Sequence, residues 1–221
     1  MLLLAFDTST PAVTVALCGD HGVLAQSMDV DARRHGELLA PAIARVLAAA
    51  DAVPGDLTAI AVGAGPGPYT GLRVGLVTAA TLADALGVPA YPVCSLDILA
   101  AGHAGPVLVA TDARRHEVYW AAYDAAGLRV AGPSVDRPPV VREWLEAHAG
   151  YAVLGDGALL YADEFPDNMI PEHPRYPAAS ALAHLVLPDA VAGLDPEPLT
   201  PIYLRRPDAT PPGPRKQVTP A

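Results

Sequence analysis

The side chains with the most chemical promise sit where apolar runs break. Leu2-Leu3-Leu4-Ala5-Phe6 ends in Asp7-Thr8-Ser9-Thr10-Pro11, and Val107-Leu108-Val109-Ala110-Thr111 ends in Asp112-Ala113-Arg114-Arg115. A carboxylate at a strand end, followed by a turn of amides and hydroxyls, can reach a metal ion and hold phosphate oxygens. Asp7, Thr8 and Ser9, and Asp112 with Arg114, are therefore candidate nucleotide-binding residues. The plainer alternative is that Thr8 and Ser9 satisfy a turn backbone and Asp112 pairs with a neighbouring arginine. A third candidate is the loop Gly63-Ala64-Gly65-Pro66-Gly67-Pro68-Tyr69-Thr70-Gly71, continuing as Leu72-Arg73-Val74-Gly75. Amides at Gly65 and Gly67, set at a helix N-terminus, would favour an anion. Alternatively the glycines only let a strand-to-helix turn pack tightly. No Gly-Lys-Thr follows, so this is not a Walker loop, and Pro66 and Pro68 remove donors that a phosphate cradle would use.

Other chemistries find little support. The histidines, at 21, 35, 103, 116, 148, 173 and 184, contain no pair three to five apart, so no zinc-type helix pair is expected. There is no Gly-x-Ser-x-Gly elbow. Cys18 and Cys94 lack flanks that argue for a nucleophile, and their wide separation suits a reducing compartment. His35 followed by Glu37 reads as a helix-capping arrangement.

The elements that must position these residues are legible in outline. Leu2–Phe6, Val13–Leu17 and Val23–Met28 form a meander of three strands. A helix follows over His35–Ala50, where Leu39, Ile43, Val46 and Ala50 recur at helical steps, Leu38 and Leu47 widen the stripe, and Pro41 predicts a kink or a late start. A strand over Ala59–Val62 leads into the glycine loop. Thr70 is placed to cap a second helix, Leu72–Leu86, which Gly87 and Pro89 end. A strand at Tyr91–Val93 and a short helix at Ser95–Ala101 complete a first lobe, residues 1–103. Gly102-His103-Ala104-Gly105-Pro106 breaks the pattern and opens a second, smaller lobe, 104–206. There, strands are expected at Val107–Asp112, Glu117–Tyr123 and Ala152–Leu154, with helices near Val140–His148 and Ala178–Leu187. Residues 207–221 are Pro-rich without a core-forming period and read as a mobile tail. Sliding the sequence by 105 residues sets Asp7 on Asp112, Leu3 on Leu108, Ala5 on Ala110 and Val13 on Val118. This internal similarity predicts two related α/β halves.

Composition narrows the class. The 221 residues are 52% hydrophobic and 17% charged, which excludes a disordered acidic chain. A net charge of −10 disfavours a stand-alone nucleic-acid binder. The apolar start is too short for a signal peptide and no apolar run reaches a membrane span, so a cytoplasmic location is expected.

Taken together, several segments are familiar. Leu4-Ala5-Phe6-Asp7-Thr8-Ser9-Thr10, Arg34-His35-Gly36-Glu37-Leu38-Leu39-Ala40-Pro41 and Gly65-Pro66-Gly67-Pro68-Tyr69-Thr70-Gly71-Leu72-Arg73-Val74-Gly75 resemble the TsaB (YeaZ) family. Thr111-Asp112-Ala113-Arg114-Arg115-His116-Glu117-Val118-Tyr119-Trp120-Ala121 and Pro201-Ile202-Tyr203-Leu204-Arg205 match its second half in order. The resemblance implies an α/β, actin-like ATPase (ribonuclease-H-like) fold in two lobes, each a mixed sheet flanked by helices. It also implies work in making threonylcarbamoyladenosine at the tRNA adenosine beside the anticodon. In that family the paralogue TsaD is catalytic, TsaE is an ATPase, and TsaB is a non-catalytic dimerisation subunit that docks on TsaD. The implied interface lies on the two long first-lobe helices, with His35, Leu39, Ile43, Val46, Leu72, Leu76, Ala79 and Ala80 as its candidate residues. The same surface would allow a homodimer of the isolated chain. No cofactor is expected in the chain itself, ATP or ADP only at the level of the complex, and tRNA is met through the partners. Where the family loop carries Ser-Phe, this chain has Pro68-Tyr69, which removes a hydroxyl and a donor. A stand-alone glycoprotease-like peptidase or ATPase is the competing expectation, and a small sugar-kinase-like enzyme a third.

Overall fold

A computed structural model describes residues 1–165 and 174–205. The first half runs β1 (Leu3–Asp7), β2 (Ala12–Gly19), β3 (Gly22–Val30), α1 (His35–Ala49), β4 (Ala59–Gly63), α2 (Tyr69–Leu86), β5 (Ala90–Val93) and α3 (Ser95–Ala100). The second runs β6 (Val107–Asp112), β7 (Val118–Tyr123), β8 (Arg129–Asp136), α4 (Pro138–Ala147), β9 (Ala152–Leu154), α5 (Asp156–Leu160) and α6 (Ala179–Ala192).

β1 and β2 are apolar without alternation because helices cover both faces of their sheet, so every residue of both strands is buried. The meander β1–β2–β3 is antiparallel, while β4 and β5 add in parallel on the other side of β1, giving the order β3-β2-β1-β4-β5. Such parallel steps need crossovers, which α1 and α2 supply. Leu39, Ile43 and Val46 of α1 and Leu76 and Ala79 of α2 pack with Leu4, Phe6, Val13, Val15 and Leu17 on one face. Ala179, Leu182, Ala183 and Val186 of α6 cover Leu3, Ala5 and Ala16 on the other. The second sheet repeats the plan as β8-β7-β6-β9, with β7 antiparallel and β9 parallel to β6.

The halves are thus built alike, as the repeat predicts, with one correction to its register. Asp7 pairs with Thr14 but Asp112 pairs with Val118, so the second turn is one residue shorter and Val118 matches Thr14 rather than Val13. Other boundaries also move. α2 starts at Tyr69, with Pro68 before its first turn and no side-chain cap, so Thr70 lies inside the helix and caps nothing. Pro68 itself explains the early start, since its fixed φ suits a helix entry and its missing N–H costs nothing there. α1 begins at His35 and runs through an exposed Pro41, so no late start occurs. β8 escaped the sequence reading because Gly132-Pro133 interrupts it, which an edge strand tolerates. α6, assigned by sequence order to the second lobe, packs on the first sheet instead.

The lobes also share a core. Ile98 of α3 packs with the first sheet, while Leu96 and Leu99 pack with Val107, Val109, Ala121 and Tyr123 of the second. Beside them Asp97 accepts from the Tyr123 hydroxyl at 2.7 Å and from Arg129 at 3.0 and 2.6 Å. The tail expected at 207–221 lies outside the described residues.

Candidate functional site

The first candidate turn is a closed knot. Asp7 is buried; one carboxylate oxygen accepts from the Ser9 amide and hydroxyl at 2.8 and 2.7 Å, the other from the Ser95 hydroxyl at 2.5 Å. Burial pushes its carboxyl up, while the bonds from Ser95 and Ser9 and the nearby His35 pull the other way. Thr8 donates its hydroxyl to the Gly71 carbonyl at 2.8 Å, and His35 donates from Nε2 to the Thr10 carbonyl at 2.7 Å. The glycine loop folds around this turn. A Cβ at Gly63 would overlap the Asp7 carboxylate, one at Gly67 the Ser9 carbonyl, and one at Gly71 the Thr8 carbonyl. Gly65, at φ +93°, exchanges bonds with Ser95: its amide donates to the Ser95 hydroxyl at 3.2 Å and its carbonyl accepts from the Ser95 amide at 2.7 Å. Asp7, Thr8, Ser9, Gly65 and Gly67 are therefore brought together, but they contact one another. The close-packing alternative describes this loop.

The second turn is more open. Asp112 accepts from the Arg114 amide at 2.8 Å and lies 3.6 Å from the Arg114 Nε, the neighbour pairing weighed above. Its own amide faces Asp156 at 3.3 Å. Asp156 is buried, and that burial, with the Asp112 charge beside it, pushes its carboxyl up to about 6. Arg114, Arg115 and His116 follow one another at φ 61°, 58° and 57°. Left-handed backbone costs a non-glycine residue about 1–2 kcal/mol, so something must hold the turn. Arg205 does: it donates to the Ala113 and Arg114 carbonyls at 2.7 and 3.3 Å and pairs with Glu117.

Arg205 belongs to a strap that also reaches the first lobe. Ile202 donates its amide to the Ala64 carbonyl at 2.9 Å, and Tyr203 stacks on Tyr69 with ring centroids 5.4 Å apart. Arg73 lies over the other ring, 5.2 Å from the Tyr69 centroid, and donates to its hydroxyl at 2.7 Å.

The interface candidates divide differently from expectation. His35, Leu39, Ile43, Val46, Leu72, Leu76 and Ala79 are buried within the chain itself, and Ala80 is exposed. The apolar stripe read from the sequence is the face each helix turns to its own sheet. The outward surface carries Gly36, Ala40 and Ala44 on α1 and Tyr69, Arg73 and Val77 on α2. The helices meet closely there, a Cβ at Gly36 lying 3.9 Å from Val74. Tyr69 is 53% and Val77 57% exposed, and they line an open groove of about 430 Å³ with Thr70, Arg73, Val74 and Thr78. Tyr69, Arg73 and Val77 recur every four residues, a spacing that belongs to the helix only once it is started at Tyr69. Ser95, Tyr203 and Arg205 had no local signal, because their partners are distant in sequence. Among the described residues no helix is long and apolar enough to cross a membrane, and no group of three His, Cys, Asp or Glu is placed to hold a metal ion.

The family described as TsaD, tRNA N6-adenosine threonylcarbamoyltransferase, matches residues 23–150. An uncharacterized protein of Mycobacterium tuberculosis is 43% identical over 212 residues, covering 95% of this chain and 94% of its own. The tRNA threonylcarbamoyladenosine biosynthesis protein TsaB of Escherichia coli is 34% identical over 173 residues, 74% of each chain. The solved structure of YeaZ from Pseudomonas aeruginosa superposes with a TM-score of 0.77 at 31% identity, covering 92% of this chain and 99% of that one. The activator of 2-hydroxyisocaproyl-CoA dehydratase from Clostridium difficile shares the actin-like ATPase fold, with a TM-score of 0.53 at 9% identity, over 87% of this chain and 97% of that one.

Proposed function

The chain belongs to the TsaB (YeaZ) family, and from that premise we propose that it serves threonylcarbamoyladenosine biosynthesis as a non-catalytic scaffold docked on TsaD. The observation that carries the docking is the outer α1–α2 face. Small residues Gly36, Ala40 and Ala44 allow close helix approach, and Val77 and Tyr69 stand half-exposed beside them. Two such helices from each subunit make a four-helix contact. The non-catalytic part is supported by the first turn, where both oxygens of Asp7 are engaged by Ser9 and Ser95. In this reading TsaE and tRNA are met through the complex, any ATP or ADP belongs to the assembly, and the free chain can use the same face to pair with a second copy.

The test measures threonylcarbamoyl transfer to unmodified tRNA by TsaD and its partners, with the chain, without it, and with Val77→Asp. Placing a charge where a valine is buried on docking costs about 2–3 kcal/mol, roughly 30- to 150-fold in affinity. We expect activity only when the chain is added, and loss of both binding and activity with Val77→Asp at an unchanged melting temperature. Turnover by the chain alone, or full binding by Val77→Asp, would refute the reading.

A further inference from the structure

We propose that the docking surface does not stop at the helices but continues over Tyr203 to the Arg114–His116 tip, where it receives a carboxylate-bearing segment of the same protein partner. The proposal rests on the scaffold reading above and extends it to the second lobe.

Three observations converge. The first is continuity: the groove on α2 ends at Tyr69, Tyr69 stacks on Tyr203, and two residues on Arg205 grips the turn that carries Arg114, Arg115 and His116. The second is the cost of the tip. Three successive left-handed residues, none a glycine, are held by Arg205 on two carbonyls, by Asp112 on the Arg114 amide and by the Glu117 amide on the Arg114 carbonyl at 3.1 Å. A simple reversal between β6 and β7 would place glycine there at no such cost. This backbone holds three long polar side chains exposed at the tip. The third is charge. In a chain of net charge −10, the strip carries Arg73, Arg114, Arg115 and Arg205 against Asp112, Glu117 and the buried Asp156, with Arg114 paired to Asp112 and Arg205 to Glu117. The side chain of Arg114 is 59% exposed. A cationic rim beside an apolar face steers an acidic partner and sets its orientation, mostly through the association rate. Arg205 is the positioning residue: its guanidinium is spent on the turn, and it acts through the tip.

The experiment compares the intact protein with Arg114→Glu/Arg115→Glu, Arg205→Met and Val77→Asp, binding each to purified TsaD at about 50, 150 and 500 mM salt. The tip variant should raise Kd at least about tenfold at the lowest salt, shrinking to under about threefold at the highest, with normal melting. Arg205→Met should speed hydrogen exchange at residues 113–117 and weaken binding in part. Loss of binding with Val77→Asp alone, and an unchanged salt profile for the tip variant, would overturn the extension and leave the helix interface standing. If Val77→Asp binds normally, the helix interface fails and the extension with it. A tip variant that binds TsaD normally while the assembled complex loses tRNA affinity would make the tip a nucleic-acid contact, also against the proposal. Faster exchange in Arg205→Met with unchanged affinity would reduce Arg205 to a structural clamp and overturn its positioning role.

Discussion

Gly75→Ala isolates the reason for the glycine loop. Gly75 lies in the second turn of α2, where alanine is intrinsically preferred to glycine by about 1 kcal/mol. Its position argues the opposite. A Cβ there would sit 2.5 Å from the Thr8 hydroxyl oxygen and 3.6 Å from Val62. Thr8 is buried and its hydroxyl is bonded to Gly71, so the methyl must push that oxygen aside by about an ångström. The lost hydrogen bond costs about 1 kcal/mol and the overpacking about 1–3 kcal/mol. After the propensity gain, a net loss of about 2 kcal/mol remains, or about 4–8 °C in melting temperature for a chain of this length. Guanidinium unfolding of the wild type, both single variants and the Gly75→Ala/Thr8→Ala pair measures it. Once Thr8 is alanine the obstructing oxygen is gone, so Gly75→Ala should become neutral or stabilising, a coupling of about 2 kcal/mol. A neutral Gly75→Ala in the wild type, or the same cost in both backgrounds, would refute the packing account.

Two further outcomes are expected. Asp156→Asn tests the buried carboxyl. Because its folded-state pKa is raised to about 6, Asp156 favours the folded state when protonated, and that contribution is lost as pH climbs from about 4 to 6. The asparagine keeps an acceptor for the Asp112 amide, so at pH 7 it should be more stable by on the order of 2 kcal/mol, with the gain gone below about pH 4 in melts across pH. Substitutions on α2 should separate its two faces: Leu72→Ala, at a fully buried site, costs about 2–5 kcal/mol by denaturant titration, whereas Val77→Ala stays within about 0.5 kcal/mol.

Much of the frame was legible along the chain because it is local. The apolar run ending in Asp7 and its echo ending in Asp112 set two strand-turn-strand units, helical periodicity located α1, and Gly87 with Pro89 located the end of α2. The family resemblance named Leu39, Ile43, Leu72 and Leu76 for a partner, but an apolar stripe shows only that a face is buried, not against what. Only the packing of α1 and α2 on the first sheet decided that those side chains are core and that Tyr69 and Val77 face outward. The glycines posed a similar problem: spacing fits an anion cradle or a close approach equally well, and the Thr8–Ser9 turn lying against Gly67, Gly71 and Gly75 decides for the approach. Long-range pairs carry no local signal at all. Ser95 on Asp7 joins residues 88 apart, and Arg205 on Ala113 joins residues 92 apart. Sequence pattern therefore determined most of the strands and helices, with β8 and α5 the exceptions. Tertiary structure alone determined what each exposed face is free to meet, because burial is a property of neighbours that the chain brings from far away.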